Sequence, residues 1–445
     1  MEGTPEAEPT RVPARGKQVG EVQARWAWAE PAVWTERMLT ALETGVKGGV
    51  WFSLIDKVYA MRNLEAAFAE VKANRGAAGV DHQTIEMFEA TLGRNLERAS
   101  SQLADESYLP QAIRRVWIPK AGKRGEKRPL GIPTVRDRVV QAALRHVIEP
   151  IFERDFADGS YGFRPGRGAK DALRRVDGLL KSGRTWVVDA DIRSYFDTIP
   201  HGPLLGLVRS KVADGRVVSL IELFLKQQVM ETAASWTPDS GSPQGAVLSP
   251  LLSNIYLDPL DHHMGGAGYE MVRYADDFVV LCGSRSEAER ALASIRQWMT
   301  AAGLALHPDK TRIVDATERG GFDFLGYHFE RGKRWPCRKS MGKLQAVLRA
   351  KTRRTNGESL DAIIHNVNLT LRGWFAYFKH SGPSTFRTVD GWVRMRIRSI
   401  LRKRRGGRGC GRGSDHQRWP NAHFAAHGLH SLAAAYATAC QSSRR

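Results

Sequence analysis

Paired carboxylates are the side chains in this sequence whose type and spacing point most directly to chemistry. Asp276 and Asp277 lie between two apolar runs, Met271-Val272 and Phe278-Val279-Val280-Leu281, which predicts a β-hairpin with both carboxylates at its tip. Two like charges on an apolar hairpin are costly unless a cation neutralises them, and hard oxygen ligands suit Mg²⁺. Most isolated Asp-Asp pairs lie in solvated turns, so the pair needs a partner elsewhere in the chain.

A second acidic segment supplies candidates for that partner. Residues 186–191 read as a buried apolar strand that ends in Asp191. Two-metal phosphoryl transfer requires carboxylates from separate strands to converge on one point, which Asp191 and the hairpin tip would provide. Asp189 and Asp197 compete with Asp191 for this role. Spacing alone does not choose among the three.

A series of sequence blocks along the chain indicates the scaffold that must position these carboxylates. The blocks are Asn74–Asp81, Ile118–Lys120, Lys127–Pro133, Tyr161–Arg167, the Asp191 segment, Gly241–Gly245, Tyr274–Asp277, Gly303–Thr311 and Phe324–Tyr327. In this order, over about 250 residues, they resemble reverse transcriptases of the group II intron-encoded (maturase) type. The resemblance implies a right-hand polymerase of the α+β class, with fingers, an antiparallel palm sheet, and a helical thumb or maturase X domain.

The same resemblance assigns the catalytic roles. Asp191, Asp276 and Asp277 match the family's metal-binding carboxylates, and the backbone carbonyl of Ile192 is a further ligand. Two Mg²⁺ ions are implied, with Mn²⁺ as a possible substitute. Lys310 matches a lysine proposed to protonate the leaving pyrophosphate, which is a general-acid role. From spacing alone, a Lys after Pro-Asp is typical of a solvated turn.

Nucleotide-binding residues are implied in the same way. Lys120 and Arg128 match positions that hold the triphosphate, and a guanidinium suits phosphate because it donates in a fixed fork. Phe196 matches the aromatic ring under the incoming sugar, where it leaves no room for a 2′-hydroxyl; a core aromatic is the alternative. Gln244 matches a nucleotide-contacting glutamine in a glycine-bounded turn that opens a helix.

Charge is distributed very unevenly along the chain. Residues 331–445 contain 25 Lys and Arg against four acidic residues, a net of +21, so the other 330 residues carry −1 of the total +20. This asymmetry is typical of a nucleic-acid-binding segment. Two apolar stripes at helical spacing predict a small helical domain over about 340–405, in which Trp374 and Phe375 pack in the core. Basic side chains are expected to project from the second stripe and beyond it: Arg394, Arg396, Arg398, Arg402, Lys403, Arg404 and Arg405.

These patterns predict four segments. Residues 1–49 form a partly disordered N-terminal extension and 50–330 the reverse transcriptase fingers and palm, with a first ordered helix over 51–68. Residues 331–405 form the thumb or maturase X domain, and 406–445 a basic tail without an HNH endonuclease domain. The four cysteines lack Cys-x-x-Cys spacing, which favours reduced thiols, and no apolar run is long enough for a membrane span. A bacterial cytosolic or nucleoid location follows.

The predicted activity is RNA-directed DNA polymerisation, extending a primer 3′-hydroxyl with dNTPs, coupled to intron RNA binding that assists splicing and mobility. The expected partners are therefore an intron RNA template, a DNA or RNA primer-template duplex and dNTPs, but no membrane. Alternatives are a splicing cofactor that mainly binds RNA, a domesticated or defence-associated reverse transcriptase without an intron partner, and a DNA-templated polymerase. The sequence does not name the cognate intron, the insertion site, the primer source or the oligomeric state.

Overall fold

A computed structural model describes residues 22, 24–46, 49–119, 125–231, 234–411 and 413–442. The chain clusters into two compact units, each assembled from separate stretches. The first unit comprises Met1–Arg115, Gly131–Phe156 and Pro200–Ile255, and the second comprises Val116–Leu130, Ala157–Ile199 and Tyr256–Arg445. The four predicted segments stay a prediction, and most of the expected N-terminal disorder falls outside the described residues.

Helices and strands alternate irregularly along the chain. In chain order they are α1 (Glu36–Thr44), α2 (Ile55–Tyr59), α3 (Met61–Ala73), α4 (Ile85–Glu89), α5 (Leu92–Ala104), β1 (Ile113–Pro119), β2 (Lys127–Ile132), α6 (Val135–Glu153), α7 (Ala169–Lys181), β3 (Trp186–Asp191), α8 (Tyr195–Thr198), α9 (His201–Arg209), α10 (Gly215–Leu225), β4 (Val229–Glu231), β5 (Ala234–Trp236), α11 (Ser249–Gly266), β6 (Glu270–Tyr274), β7 (Asp277–Cys282), α12 (Arg285–Ala301), β8 (Arg312–Asp315), β9 (Phe322–Phe324), β10 (Tyr327–Glu330), β11 (Lys333–Pro336), α13 (Arg338–Lys351), α14 (Leu360–Phe378), α15 (Pro383–Arg404), α16 (Ser414–Arg418), α17 (Asn421–Ala426) and α18 (Leu432–Ser442).

The first unit is mainly helical, and its start differs from the predicted helix over 51–68. Helix α1 precedes that region, which is itself divided into α2 and α3 at Ala60, where the backbone turns extended with ψ 128°. The buried amide of Asn63 donates to the Lys57 carbonyl at 2.8 Å and to the Ala143 carbonyl of α6 at 3.0 Å. The break is therefore satisfied locally and fastened to α6, which an apolar pattern does not reveal.

A four-stranded antiparallel sheet forms the centre of the second unit, in the order β6-β7-β3-β8. We call it the palm sheet. Helices α7 and α12 pack against it. Val187, Val272, Val279 and Leu281 are completely buried in its core, and each contributes on the order of 1.5–3 kcal/mol by burial. The antiparallel palm sheet and the α+β class are thus confirmed.

The C-terminal helical region, α13 to α18, has its own core. Both predicted stripes are buried there, including Val367, Leu371 and Ile397, and Trp374 and Phe375 pack against Phe386. Phe424 of α17 and Leu432 of α18 are buried in the same core, although both follow residue 405. The helical core therefore extends further along the chain than the predicted thumb segment.

A small antiparallel sheet, β11-β10-β9, adjoins this helical region. The Tyr327 hydroxyl donates to the Tyr377 carbonyl of α14, and the Tyr377 hydroxyl donates to the Leu325 carbonyl, each at 2.8 Å. Burial raises the pKa of both phenols to about 12, so both remain donors at physiological pH. The two bonds fasten α14 to the small sheet.

All four cysteines are free, as the sequence predicts. In the described ranges, no helix combines the length and the apolar character that crossing a membrane would require.

Candidate active site

Strand register brings the two acidic segments together. Strands β3 and β7 pair antiparallel, and Asp191 lies directly opposite Asp277 at the end of the ladder. Asp276 occupies the adjoining two-residue connection between β6 and β7, which begins at Ala275 with φ +59°. We call Tyr274–Asp277 the acidic turn. Two acidic segments that are distant in sequence therefore lie at the same edge of the palm sheet.

The competing aspartates of the first segment have other surroundings. Asp189 pairs with Val279 across the strand, and Arg312 donates to its carboxylate at 3.2 Å. Asp197 lies beyond the strand, exposed on α8. Asp191 differs from Asp189 in lying at the end of the ladder, directly opposite Asp277, and its selection stays the choice that the family resemblance implies.

A buried ion pair holds the acidic turn from behind. Arg273 is completely buried, and its Nε donates to both carboxylate oxygens of Asp261 on α11, at 2.8 and 3.0 Å. One terminal nitrogen of Arg273 donates to the Ala275 carbonyl at 2.9 Å. Removing either partner would leave a buried charge uncompensated, at a cost of about 3–5 kcal/mol. Sequence reasoning missed this pair because an Arg between two apolar residues gives no sign of its partner.

The block that starts at Tyr161 packs directly on the acidic turn. Tyr161 N–H donates to the Arg273 carbonyl at 2.9 Å, and Arg273 N–H donates to the Gly159 carbonyl at 2.8 Å. A Cβ on Gly162 would lie 2.2 Å from the Ala275 nitrogen. Since that contact is impossible, position 162 has to be glycine for the two backbones to approach this closely.

Burial and neighbouring carboxylates raise the pKa of both aspartates of the acidic turn. The pKa of Asp277 is about 7, because burial and then the charges of Asp189, Asp276 and Asp191 oppose its ionisation, while Lys310 favours it. The pKa of Asp276 is also raised, mainly by burial and then by Asp191. Negative charge is therefore concentrated here without enough protein cations to balance it.

Lys310 lies beside the first carboxylate. Its Nζ is 2.6 Å from Asp191 Oδ2, and its side chain is about half exposed. The turn that carries it follows a bridge between Ile192 and Leu306, flanked by hydrogen bonds from His307 N–H to the Asp191 carbonyl and from Arg193 N–H to the Ala305 carbonyl. These flanking bonds leave the Ile192 carbonyl directed away from that segment.

A metal site is not already closed in this conformation. Within the described ranges, no three His, Cys, Asp or Glu side chains are grouped so that they could hold an ion. The chemistry of the donors nevertheless fits a hard divalent cation, because they are carboxylate oxygens whose mutual repulsion a cation would relieve. The Lys310 ammonium currently partners Asp191.

The nucleotide-binding candidates lie on separate elements. Phe196 is half-buried on α8, with its ring centroid 5.6 Å from that of Tyr195. Arg128 is exposed on β2, and Lys120 lies outside the described residues. The carbonyl of Gln244 accepts a hydrogen bond from Gly131 N–H at 2.7 Å, which ties its loop to the end of β2.

Two regions of the chain, one that contains the palm sheet and one in the C-terminal helical region, match known protein families. Residues 118–329 match the reverse transcriptase (RNA-dependent DNA polymerase) family, and residues 341–419 match the group II intron maturase-specific domain. Protein YkfC of Escherichia coli K12 is 33% identical over 333 residues, which are 66% of this chain and 85% of YkfC. The chain belongs to the group II intron reverse transcriptase and maturase family.

The names of two further relatives refer to introns. The group II intron-encoded protein LtrA of Lactococcus lactis is 39% identical over 197 residues, which are 44% of this chain and 32% of LtrA. A 91 kDa protein in the cob intron of Schizosaccharomyces pombe is 28% identical over 75% of this chain and 47% of its own length. The chain thus spans less than half of these two longer relatives.

In this member of the family, the arginines of the maturase-specific region differ from the expectation that all of them project outward. Arg396 donates to the Thr352 carbonyl at 2.8 Å, at the end of α13, and Arg398 donates to the Trp419 carbonyl at 2.8 Å. Arg402 bonds the Arg408 carbonyl and pairs with Asp415, whose side chain is buried. Arg404 bonds the carbonyl of Glu358.

These four guanidiniums therefore hold loops and helix ends together. The expectation of an outward projection is wrong for Arg398, which is buried, whereas Arg404 is exposed. The physical reason is that helix ends expose carbonyls without intrahelical partners, and Arg donors satisfy them. Lys403 and Arg405 are exposed, in agreement with the prediction.

Proposed function

We propose that this chain is an RNA-directed DNA polymerase that extends a primer 3′-hydroxyl with dNTPs by two-metal phosphoryl transfer, and that it binds intron RNA to assist splicing and mobility. The observation that carries the polymerase proposal is the register that sets Asp191 opposite Asp277, with Asp276 in the adjoining turn. Family membership and the maturase-specific match support the RNA-binding role.

Asp191, Asp276 and Asp277, with the Ile192 carbonyl, would hold two Mg²⁺ ions, for which Mn²⁺ is a substitute. Such ions stabilise the attacking and leaving oxygens of an in-line displacement. The raised pKa of Asp277 supports this assignment, since a cation at the site would favour the ionised carboxylate. The Lys310 ammonium would part from the Asp191 carboxylate and donate its proton to the leaving pyrophosphate, a role that its distance of 2.6 Å from that carboxylate supports.

The remaining assignments concern the incoming nucleotide. Arg128 and Lys120 bind the triphosphate, Gln244 contacts the nucleotide, and Phe196 excludes a ribose 2′-hydroxyl. The position of Phe196 on α8, which follows the strand that ends in Asp191, supports its role beside the incoming sugar. Because YkfC and LtrA are bacterial proteins, we place the activity in the bacterial cytosol or nucleoid.

Primer extension on poly(rA)/oligo(dT) tests the proposal. Incorporation of dTTP should require Mg²⁺ or Mn²⁺ and should exceed incorporation of UTP at least tenfold, and replacing Phe196 by Ala should narrow that ratio. Poly(dA)/oligo(dT) is the matched template control. Preference for the DNA template would favour a DNA-templated polymerase instead, and extension with EDTA present would contradict the metal assignment.

A further inference from the structure

Phe163 is held in a conformation that a large side chain ordinarily avoids. Its φ is +57°, in the left-handed region, and 47% of its surface is exposed. This conformation costs a bulky residue free energy, and it persists only where the surrounding structure imposes it. Core packing does not account for the ring, since almost half of it faces solvent.

The neighbours on both sides of Phe163 impose its backbone. Gly162 is pressed against the acidic turn, as described above. Arg164, only 6% exposed, folds back to donate to the carbonyls of Ala157 at 2.6 Å and Ser160 at 2.8 Å. With the chain fixed before and after it, position 163 has no freedom to turn its side chain inward.

The phenyl ring is held beside the acidic turn. Its centroid lies 6.4 Å from that of Tyr274, the residue paired with Asp277 across the turn. Tyr161 bonds to β6, on the opposite side of β7 from β3. These contacts set Phe163 on the β6 side of the acidic turn, whereas Phe196 follows β3, which lies on the other side of β7 in the strand order.

In-line displacement brings the attacking and leaving groups to the reacting phosphorus from opposite sides. If Phe196, after β3, receives the incoming sugar, a half-exposed ring beside Tyr274 and β6 is available to the nucleotide that carries the attacking hydroxyl. We propose that Phe163, beside Tyr274, is a positioning residue that packs against the 3′-terminal nucleotide of the primer. This inference rests on the proposed polymerase function.

Binding and fluorescence measurements test the inference without requiring turnover. The probe is an oligo(dT) primer that carries 2-aminopurine at its 3′ end, annealed to an RNA template, with Ca²⁺ to prevent extension. Phe163→Leu should raise the primer-template Kd about tenfold and relieve part of the 2-aminopurine quenching, and Phe163→Trp should restore both. In extension assays the KM for primer-template should rise while the KM for dTTP stays within twofold.

Strain supplies a second readout, which a purely structural role would not produce. Phe163→Gly should raise the melting temperature, because glycine adopts positive φ without cost, and should still weaken primer binding as Leu does. Phe52→Ala is the matched control, since Phe52 is another exposed phenylalanine, 62% accessible. That variant should bind as the wild type does.

The outcomes separate this inference from the proposed function. Wild-type protein that binds the duplex but never extends it would contradict the polymerase assignment, whereas the Phe163 comparison relies on binding alone. Unchanged primer affinity in Phe163→Leu would overturn the inference. So would a lower melting temperature in Phe163→Gly, an equal loss in Phe52→Ala, or a fluorescence change only when 2-aminopurine stands in the template.

Discussion

The palm sheet and the C-terminal helical region carry opposite charges and use them in opposite ways. At the palm edge, Asp191, Asp276 and Asp277 are brought together without enough cations to balance them, and the pKa of Asp277 rises to about 7. In the helical region, Arg396 and Arg402 donate hydrogen bonds to protein carbonyls, and Arg402 also pairs with the buried Asp415. In this molecule, charge that the fold leaves uncompensated coincides with the candidate active site, whereas much of the dense positive charge serves the fold.

Backbone strain follows the same division. Of the nine non-glycine residues with positive φ in the described ranges, three (Phe163, Ser194 and Ala275) belong to the acidic turn or to the segments beside it, and the other six lie elsewhere before residue 332. In the described part of α13 to α18 and their connections, positive φ is confined to glycine. The backbone of the helical region thus agrees with its local preferences, whereas packing against the acidic turn holds the chain at Phe163 in a conformation of higher energy.

We expect the largest effect from removing the carboxylates at the edge of the palm sheet. Replacing Asp276 and Asp277 together by Ala should lower cDNA synthesis at least about 10³-fold, because the ions lose two ligands. Intron RNA binding and splicing should persist, since the helical region is untouched. Primer extension and splicing assays on the same preparation provide the measurements, and a parallel loss of splicing would contradict separable roles.

Removing a positive charge that the fold uses should destabilise the helical region. Arg402→Ala leaves Asp415, with a side chain only 6% exposed, without this ion pair, so the free energy of unfolding should fall by about 2–3 kcal/mol. Lys403→Ala, at the neighbouring exposed position, should change it by less than about 0.5 kcal/mol. Urea denaturation of both variants makes the comparison, and equal effects would remove the distinction between structural and surface cations.

Neutralising a palm charge should do the opposite and stabilise the protein. The pKa of Asp277 is raised from 3.8 to about 7, so the folded chain binds this proton more tightly than the unfolded chain does. Stability therefore falls as pH rises through that window, and the loss is complete above pH 7. At pH 8 in EDTA, Asp277→Asn should raise the free energy of unfolding by about 1–3 kcal/mol.

The pH dependence is the internal control for that variant. The gain should disappear near pH 4, where the wild-type carboxyl is protonated, and added Mg²⁺ should stabilise the wild type more than Asp277→Asn. A variant less stable than the wild type at pH 8 would show that Asp277 is already compensated by the fold.

The smallest effect is expected from cations that the fold leaves exposed. Lys403→Ala and Arg405→Ala should each weaken RNA binding about three- to tenfold and reduce the slope of log Kd against log salt by about one. Filter binding over a salt series measures both quantities. An unchanged slope in both variants would place the RNA-binding surface elsewhere in the helical region.

Much of this contrast was accessible from the sequence, and the rest was not for identifiable reasons. Two apolar runs predict the hairpin around Asp276 and Asp277, because short apolar runs on either side of a polar pair are typical of buried strands joined by a turn. The choice of Asp191 over Asp189 depends on cross-strand register, which spacing within one strand does not encode. Family resemblance made that choice before the geometry was known.

Other features were inaccessible because they depend on distant partners. Nothing in the sequence distinguishes Arg402, which pairs with Asp415, from its neighbour Lys403. Gly162 belongs to a recognisable block, but its contact with Ala275 appears only when two remote segments meet. In the sequence, side chains that have partners inside the protein look the same as side chains that stay exposed. The structure distinguishes them.

The two bonds that join Tyr327 and Tyr377 to opposing carbonyls have a mechanical consequence. Bending α14 away from the small sheet would stretch both bonds together, so this junction resists deformation in more than one direction. A force that a passing duplex applied to α14 would be transmitted to β10, because the helix could not move independently of the small sheet. Replacing either phenol by phenylalanine would soften the junction while leaving every charged group in place.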